Sequence, residues 1–240
     1  MSNIKPPSLP PLPLSINNIR STHEFTNNAH WVIPKILMQG GRPGFGISDD
    51  DASITLEEQV RKIVKDGGCR TFVCAQAECL PEEGSILLDN GGGGCRKAVP
   101  KDLPSYANHV VSAVKELEEQ GVDCDVGEPT FLYFGIIGDK PAKSIDSLSN
   151  AVNDIVNRIK GGETVYIHCG GGAGRAGLLT ACVLGELYND LDAESALEYT
   201  TSFCQLRNME GGVEKHYSSP ETDEQKDQVR NYFEKIRSVV

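Results

Sequence analysis

A cysteine and an arginine separated by five small residues form the pattern in this chain best suited to chemistry: His168-Cys169-Gly170-Gly171-Gly172-Ala173-Gly174-Arg175. The apolar run Val165-Tyr166-Ile167 ahead of it reads as a buried strand, and helical spacing starts near Ala176. A strand, a glycine loop and a helix in that order make a cup of backbone N–H groups at a helix N-terminus, which binds anions. A thiol at its mouth is drawn toward the thiolate by those dipoles and by a neighbouring guanidinium; thiols so placed have pKa values of about 3.5–7.5. Arg175 adds a planar fork that matches two phosphate oxygens. The four loop glycines leave the backbone open to a ligand at an entropic cost that a purely structural turn would not favour.

The His-Cys-x5-Arg pattern, in its strand–loop–helix setting, resembles the signature of the protein tyrosine phosphatase superfamily, and the likeness spans roughly residues 30–238. It implies a phosphomonoester hydrolase with Cys169 as nucleophile. Gly170, Gly171, Gly172, Ala173, Gly174 and Arg175 would hold the phosphoryl oxygens, and no metal or other cofactor is needed. The superfamily takes its proton donor from an aspartate upstream of the signature. Asp139 fits, in Gly138-Asp139-Lys140-Pro141 directly after an apolar strand and thirty residues before Cys169. Asp123 and Asp125 precede that strand, at its wrong end, while Asp146 and Asp154 fall in a helix. By the same resemblance His168 supports the thiolate without reacting, and Cys74, at the end of another core strand, is a redox partner for Cys169.

Two positions depart from the family pattern. Ala176 stands where a hydroxyl residue usually assists breakdown of the phosphoenzyme, and Glu221 stands where a glutamine would position water. Among relatives, the uncharged loop is least like those acting on multiply phosphorylated inositol lipids. An atypical dual-specificity protein phosphatase, acting on phosphotyrosine, phosphoserine or phosphothreonine, is the expected activity. Two alternatives stay open: a pseudophosphatase that binds phosphorylated partners, or a phosphatase of phosphoglucan or another non-protein substrate.

The elements that must position these residues follow from periodicity. Short strands are expected at Trp31–Ile33 and Ile36–Met38, then a loop through Gly40, Gly41 and Gly44. Leu56, Val60, Ile63 and Val64 mark a helix stopped by Gly67-Gly68. Thr71–Cys74 and Phe131–Ile137 read as strands, with a helix over 106–120 between them. Residues 75–103 read as a polar, glycine-rich surface excursion. Ser144 caps a helix carrying Ile145, Leu148, Val152, Ile155 and Ile159, and helices follow near 176–188, 193–203 and 222–237. Alternating strands and helices predict an α/β fold with a mostly parallel central sheet flanked by helices, and Cys169 sits at a strand's carboxyl end, where such folds bind ligands.

Residues 1–28, with Pro6, Pro7, Pro10, Pro11 and Pro13, read as a Pro-rich flexible tail, and 29–240 as one phosphatase domain. Pro10-Pro11-Leu12-Pro13 also has the form of a ligand for a proline-reading domain. A net charge of −11 argues against nucleic acid and anionic membranes as partners, so a phosphate site must be a local positive focus on an acidic surface. Eight cysteines without short paired spacings, and no apolar leader, point to free thiols in a reducing compartment, the cytoplasm or the nucleus. Cys69, Cys74 and Cys79 match no zinc spacing. The expected partner is a phosphorylated protein or peptide; oligomeric state is not readable from the sequence.

Overall fold

In the computed structural model, which describes residues 8–13, 19–44, 55–91, 103–121, 127–207 and 218–238, the strand carrying Cys169 lies inside a six-stranded sheet. The strands are β1 (Ala29–Ile33), β2 (Leu37–Gly41), β3 (Thr71–Gln76), β4 (Ile86–Leu87), β5 (Thr130–Ile136) and β6 (Val165–Cys169). Their spatial order is β1-β2-β6-β3-β5-β4; the β1–β2 pair is antiparallel and every other pairing is parallel. The carboxyl ends of β2, β3, β5 and β6 therefore gather at one edge. Helices α1 (Arg20–His23), α2 (Leu56–Lys65), α3 (Ala107–Glu119), α4 (Ile145–Lys160), α5 (Gly174–Leu187), α6 (Ala193–Cys204) and α7 (Asp223–Arg237) cover the sheet.

Strand alternation divides the core between two layers. Phe72 and Tyr166 point toward α2 and α3, where Val60, Ile63, Val110 and Val114 meet them. Val73, Val165 and Ile167 point the other way, into a larger core with α4, α5, α6 and α7. Helix α5 is buried from Gly174 to Gly185, so the apolar run after Arg175 is an interior helix and not an amphipathic one. Burying a residue such as Leu178 or Leu179 fully contributes about 1.5–3 kcal/mol. The Ser144 hydroxyl accepts from Ser147 N–H and starts α4, as its sequence position predicts. No helix among the described residues is long and apolar enough to cross a membrane.

Two segments in the first 45 residues differ from the sequence reading. Gly40 and Gly41 are not loop residues; they close β2, in register with His168 and Cys169. Gly172, at φ +73°, packs against them so closely that a Cβ on it would stand inside the Gly40–Gly41 backbone. Glycine is required there for close approach and for the left-handed conformation together. Residues 8–13 and 19–28, which the sequence places in a tail, lie against the domain. Leu9 and Leu12 pack on the larger core, Ile19 and His23 are buried, and Glu24 bridges to His30.

Candidate active site

The loop that follows β6 is held by its carbonyl groups, each taken by a donor outside the loop. Arg42 N–H donates to Cys169 O at 2.6 Å and to Gly170 O at 3.0 Å. The Arg207 guanidinium donates to Gly171 O at 2.7 Å and Gly172 O at 3.1 Å. Gln39 Nε2 also donates to Gly172 O, at 2.8 Å, and Ser219 Oγ donates to Ala173 O at 2.9 Å. The C=O and N–H of one trans peptide plane point in opposite directions. Five carbonyls fixed on the outside thus turn the N–H groups of residues 170–174 toward the concave side. The cup expected from the glycine spacing is built this way, at the N-terminus of α5.

Arg175 lines the same cup and is largely buried. Glu78, just beyond β3, grips the end of its guanidinium with two hydrogen bonds, Nη1 to Oε2 at 2.5 Å and Nη2 to Oε1 at 2.9 Å. Nη1 also donates to Ile136 O at 3.1 Å. Among the described residues no partner takes Nε–H or the second Nη2 hydrogen, which lie on one edge and form a fork for an anion. Burial opposes ionisation of Glu78, but the hydrogen bonds from Arg175 and Gln76 outweigh it and bring the carboxyl down to about 2.

Cys169 is buried at the tip of β6. Beside it His168 is wholly buried, with Nε2 sharing a 2.7 Å hydrogen bond with Tyr106 Oη. Burial, aided by the Arg42 charge, holds its pKa well below the usual histidine range, so the ring is neutral. Arg42 is itself buried over the Tyr106 ring, 4.8 Å from the centroid, and pairs with buried Glu82 at 2.8 Å. Ser105 Oγ completes the set by donating to Glu82.

Asp139 follows β5 at the same sheet edge, exposed and in the left-handed region at φ +61°. Its loop is tied to the start of α7, since Thr222 Oγ1 donates to Asp139 O at 3.4 Å and Gln225 Nε2 to Lys140 O at 3.1 Å. The buried Gln225 side chain also lies over Gly174, so one amide connects the Asp139 loop to the cup. Glu221 lies there too, with Oε2 2.5 Å from where a Cβ on Gly174 would stand. Ala176 is fully buried in the first turn of α5.

Cys74 contacts Cys79, with Tyr133 packed on both. A hydrogen bond between the two thiols, then burial, pushes Cys74 well above the ordinary thiol range. The same hydrogen bond, helped by the Arg42 charge, lowers Cys79. Sequence reasoning missed Cys79 as a partner, and missed Gln39, Arg42, Glu78, Glu82, Tyr106, Arg207, Ser219 and Gln225. Glu78 alone had a usable signal, because the strand-end rule that selects Asp139 after β5 applies equally after β3.

No curated protein matches the chain. Residues 108–223 match a family model described as the DSP-PTPase phosphatase domain of a Swiss Army Knife protein. Among solved structures, PTPMT1 in complex with PI(5)P aligns at TM-score 0.50 and 14% identity over 88% of this chain and 97% of that one. TpbA of P. aeruginosa aligns at TM-score 0.50 and 12% identity over 89% of this chain and 90% of that one. At such identities the likeness is one of fold. The matched stretch runs from α3 through β5, α4 and β6 to the start of α7 and carries the whole strand–loop–helix unit with it, so over residues 108–223 the chain matches a dual-specificity-type phosphatase domain of the protein tyrosine phosphatase superfamily.

Proposed function

We propose that the chain is a cysteine-dependent phosphomonoesterase whose substrates are phosphorylated proteins or peptides. The observation that carries this reading is the outward locking of five loop carbonyls beside an arginine with one open edge. Such a cup matches three equatorial phosphoryl oxygens carrying charge, so it stabilises an in-line displacement at phosphorus. Cys169 attacks phosphorus as the thiolate, and the P–O bond to the leaving group breaks. Asp139 gives the leaving oxygen its proton. A water then attacks the phosphocysteine with Asp139 as base, returning the thiolate and releasing phosphate. His168, neutral and tied to Tyr106, fixes the end of β6 without exchanging protons. No step calls for a metal. Cytoplasm or nucleus is the compartment that suits the free thiols.

Charge favours a singly phosphorylated site on a polypeptide over a multiply phosphorylated lipid. The five loop residues between Cys169 and Arg175 carry no charge, and the Glu221 carboxylate stands beside Gly174. The test is hydrolysis of an aryl phosphate with EDTA present, comparing the protein with Cys169→Ser. Turnover that survives EDTA and vanishes in the variant supports the mechanism. Tight vanadate binding by the reduced protein with no turnover would replace it with a phospho-binding pseudoenzyme.

A further inference from the structure

The N-terminal residues Leu9-Pro10-Pro11-Leu12-Pro13 repeat a Leu-Pro pair at an interval of three. Three residues is one turn of a polyproline II helix, so residues at that interval share an edge. The contacts in the structure keep the same interval. Tyr188 Oη donates to Pro10 O at 2.8 Å, and Tyr199 Oη donates to Pro13 O at 2.7 Å. Leu9 and Leu12 pack against the larger core, while Pro11 faces solvent. Tyr188 ends α5 and Tyr199 lies within α6, so two helix surfaces make one platform. Tyr199 extends it by stacking on Phe203, centroids 5.7 Å apart, and Phe203 stacks on His23 at 4.5 Å.

These are the working parts of proline-rich peptide recognition. Aromatic hydroxyls read carbonyls that proline leaves without a competing N–H, and pockets at a three-residue interval take the side chains. Each contact depends on a Leu-Pro pair and none on strand pairing, so a segment with the same repeat on another polypeptide would make the same four contacts. We propose that the α5–α6 face is a binding site for Leu-Pro-x-Leu-Pro segments, that the chain's own residues 9–13 are its resident ligand, and that a partner protein bearing such segments displaces them. A second copy of this chain is the poorer occupant. Exchanging arms between copies makes no contact that the resident arm lacks and adds the entropic cost of association. A partner with several such segments rebinds from the same molecule and gains by multivalency.

The resident arm also sets the size of the effect. Five residues, 14–18, join it to buried Ile19. A short tether gives an effective concentration on the order of 1 mM. A peptide with an intrinsic Kd of about 100 µM then loses about tenfold in apparent affinity against that competitor.

The experiment measures fluorescence anisotropy of a labelled Ser-Leu-Pro-Pro-Leu-Pro-Leu-Ser peptide with the full chain and with full-chain Leu9→Ser/Leu12→Ser, whose arm is released. The released variant should bind about tenfold more tightly than the unaltered chain. Adding Tyr188→Phe and Tyr199→Phe to it should weaken binding about tenfold, while aryl phosphate hydrolysis stays unchanged throughout. No binding to the released variant, equal binding to both chains, or indifference to the tyrosine changes would overturn the proposal. A concentration-dependent dimer abolished by Leu9→Ser/Leu12→Ser would give the groove to a second copy and overturn the assignment to a partner. Should the released variant misfold, the unaltered chain is titrated with unlabelled peptide to several times the arm's effective concentration. Nuclear magnetic resonance signals of Tyr188 and Tyr199 should then shift, and an absence of shift overturns the proposal.

Discussion

Replacing Glu78 by glutamine tests whether the acid positions Arg175 or blocks it. The two side chains are only 11% and 16% exposed, and the carboxylate accepts from both Nη atoms. Glutamine keeps one acceptor oxygen and turns an NH2 group toward the other Nη, so one bond keeps only the guanidinium's charge and the second becomes a donor–donor contact. Charge-assisted hydrogen bonds contribute about 1.5–3 kcal/mol. Allowing for the solvent that reaches one side, about 2 kcal/mol is at stake, equivalent to about 30-fold in rate. If the free edge of Arg175 holds the phosphoryl group as proposed, that loss should appear in aryl phosphate kcat/KM, with the larger share in kcat, which a merely structural change would leave alone. A kcat/KM within twofold of the unaltered protein would refute a positioning role, and a rise would show that Glu78 competes with phosphate.

The same variant makes a statement about pH. Glu78 titrates near 2 in the folded chain against an ordinary 4.5. A depressed carboxyl stabilises the fold above its unfolded pKa, and that contribution is lost as pH falls through the folded value. The stability gap between the protein and Glu78→Gln should be full above about pH 5 and close toward about pH 2, as urea unfolding across that window would read. A gap that widens on acidification would contradict the ion pair.

The other expectations are smaller in scope. Gly172→Ala puts a Cβ into the Gly40–Gly41 backbone at φ +73°, and should cost at least about 3 kcal/mol in urea unfolding and abolish vanadate binding; a folded variant that still binds vanadate refutes the packing argument. Glu221→Gln removes a negative charge beside the cup, and should lower the aryl phosphate KM about two- to fivefold at low salt, with the gain shrinking in high salt; an unchanged KM would place that carboxylate too far away to matter. Ala176→Ser should restore a hydroxyl for phosphoenzyme breakdown, raising steady-state kcat while leaving single-turnover phosphorylation unchanged, and no change in either assay counts against a slow second step. Mild peroxide followed by peptide mapping should link Cys74 to Cys79, the thiol it already contacts; a Cys74–Cys169 peptide instead would refute this and support the pairing that the family resemblance implies.

What the sequence disclosed follows the range over which each feature is determined. Helix α4 is legible because its Ser144 cap and its apolar positions lie within one segment, and it starts at that cap and carries those positions inward. The same holds for β6, the loop and α5, since a run of glycines between a cysteine and an arginine is a local pattern with a local cause. Asp139 was reachable through a topological rule, because a parallel sheet sends its strand ends to one edge. The loop's fastenings were not. Arg207 lies 36 positions from Gly171, and Gln39 lies 133 from Gly172. Neither has a periodicity that marks it, because only the finished fold brings them beneath the loop. The polar look of the segment from 75 onward also misled at two positions, for Glu78 and Glu82 are polar in order to meet buried arginines and not to face water, while residues 92–102 of the expected excursion lie outside the described residues.

Those arginines bear on how a chain of net charge −11 draws a phosphate to one point. Three of them surround the loop, but two are already matched: Arg42 by Glu82 and Arg175 by Glu78. Such buried pairs fix geometry more than they create potential, because each carboxylate cancels the field of its guanidinium at a distance. Arg207 is different. It is buried, its guanidinium is spent on Gly171 O, Gly172 O and Cys204 Sγ, and among the described residues it has no acidic partner. Among the described residues its charge is not matched by a carboxylate, and it polarises the very peptide groups whose N–H ends face the cup. The local positive focus that a phosphate site on an acidic chain requires is then supplied by Arg207 and the loop dipoles it orders. Arg175, its charge balanced by Glu78, contributes direction: two hydrogen-bond donors on a fixed edge.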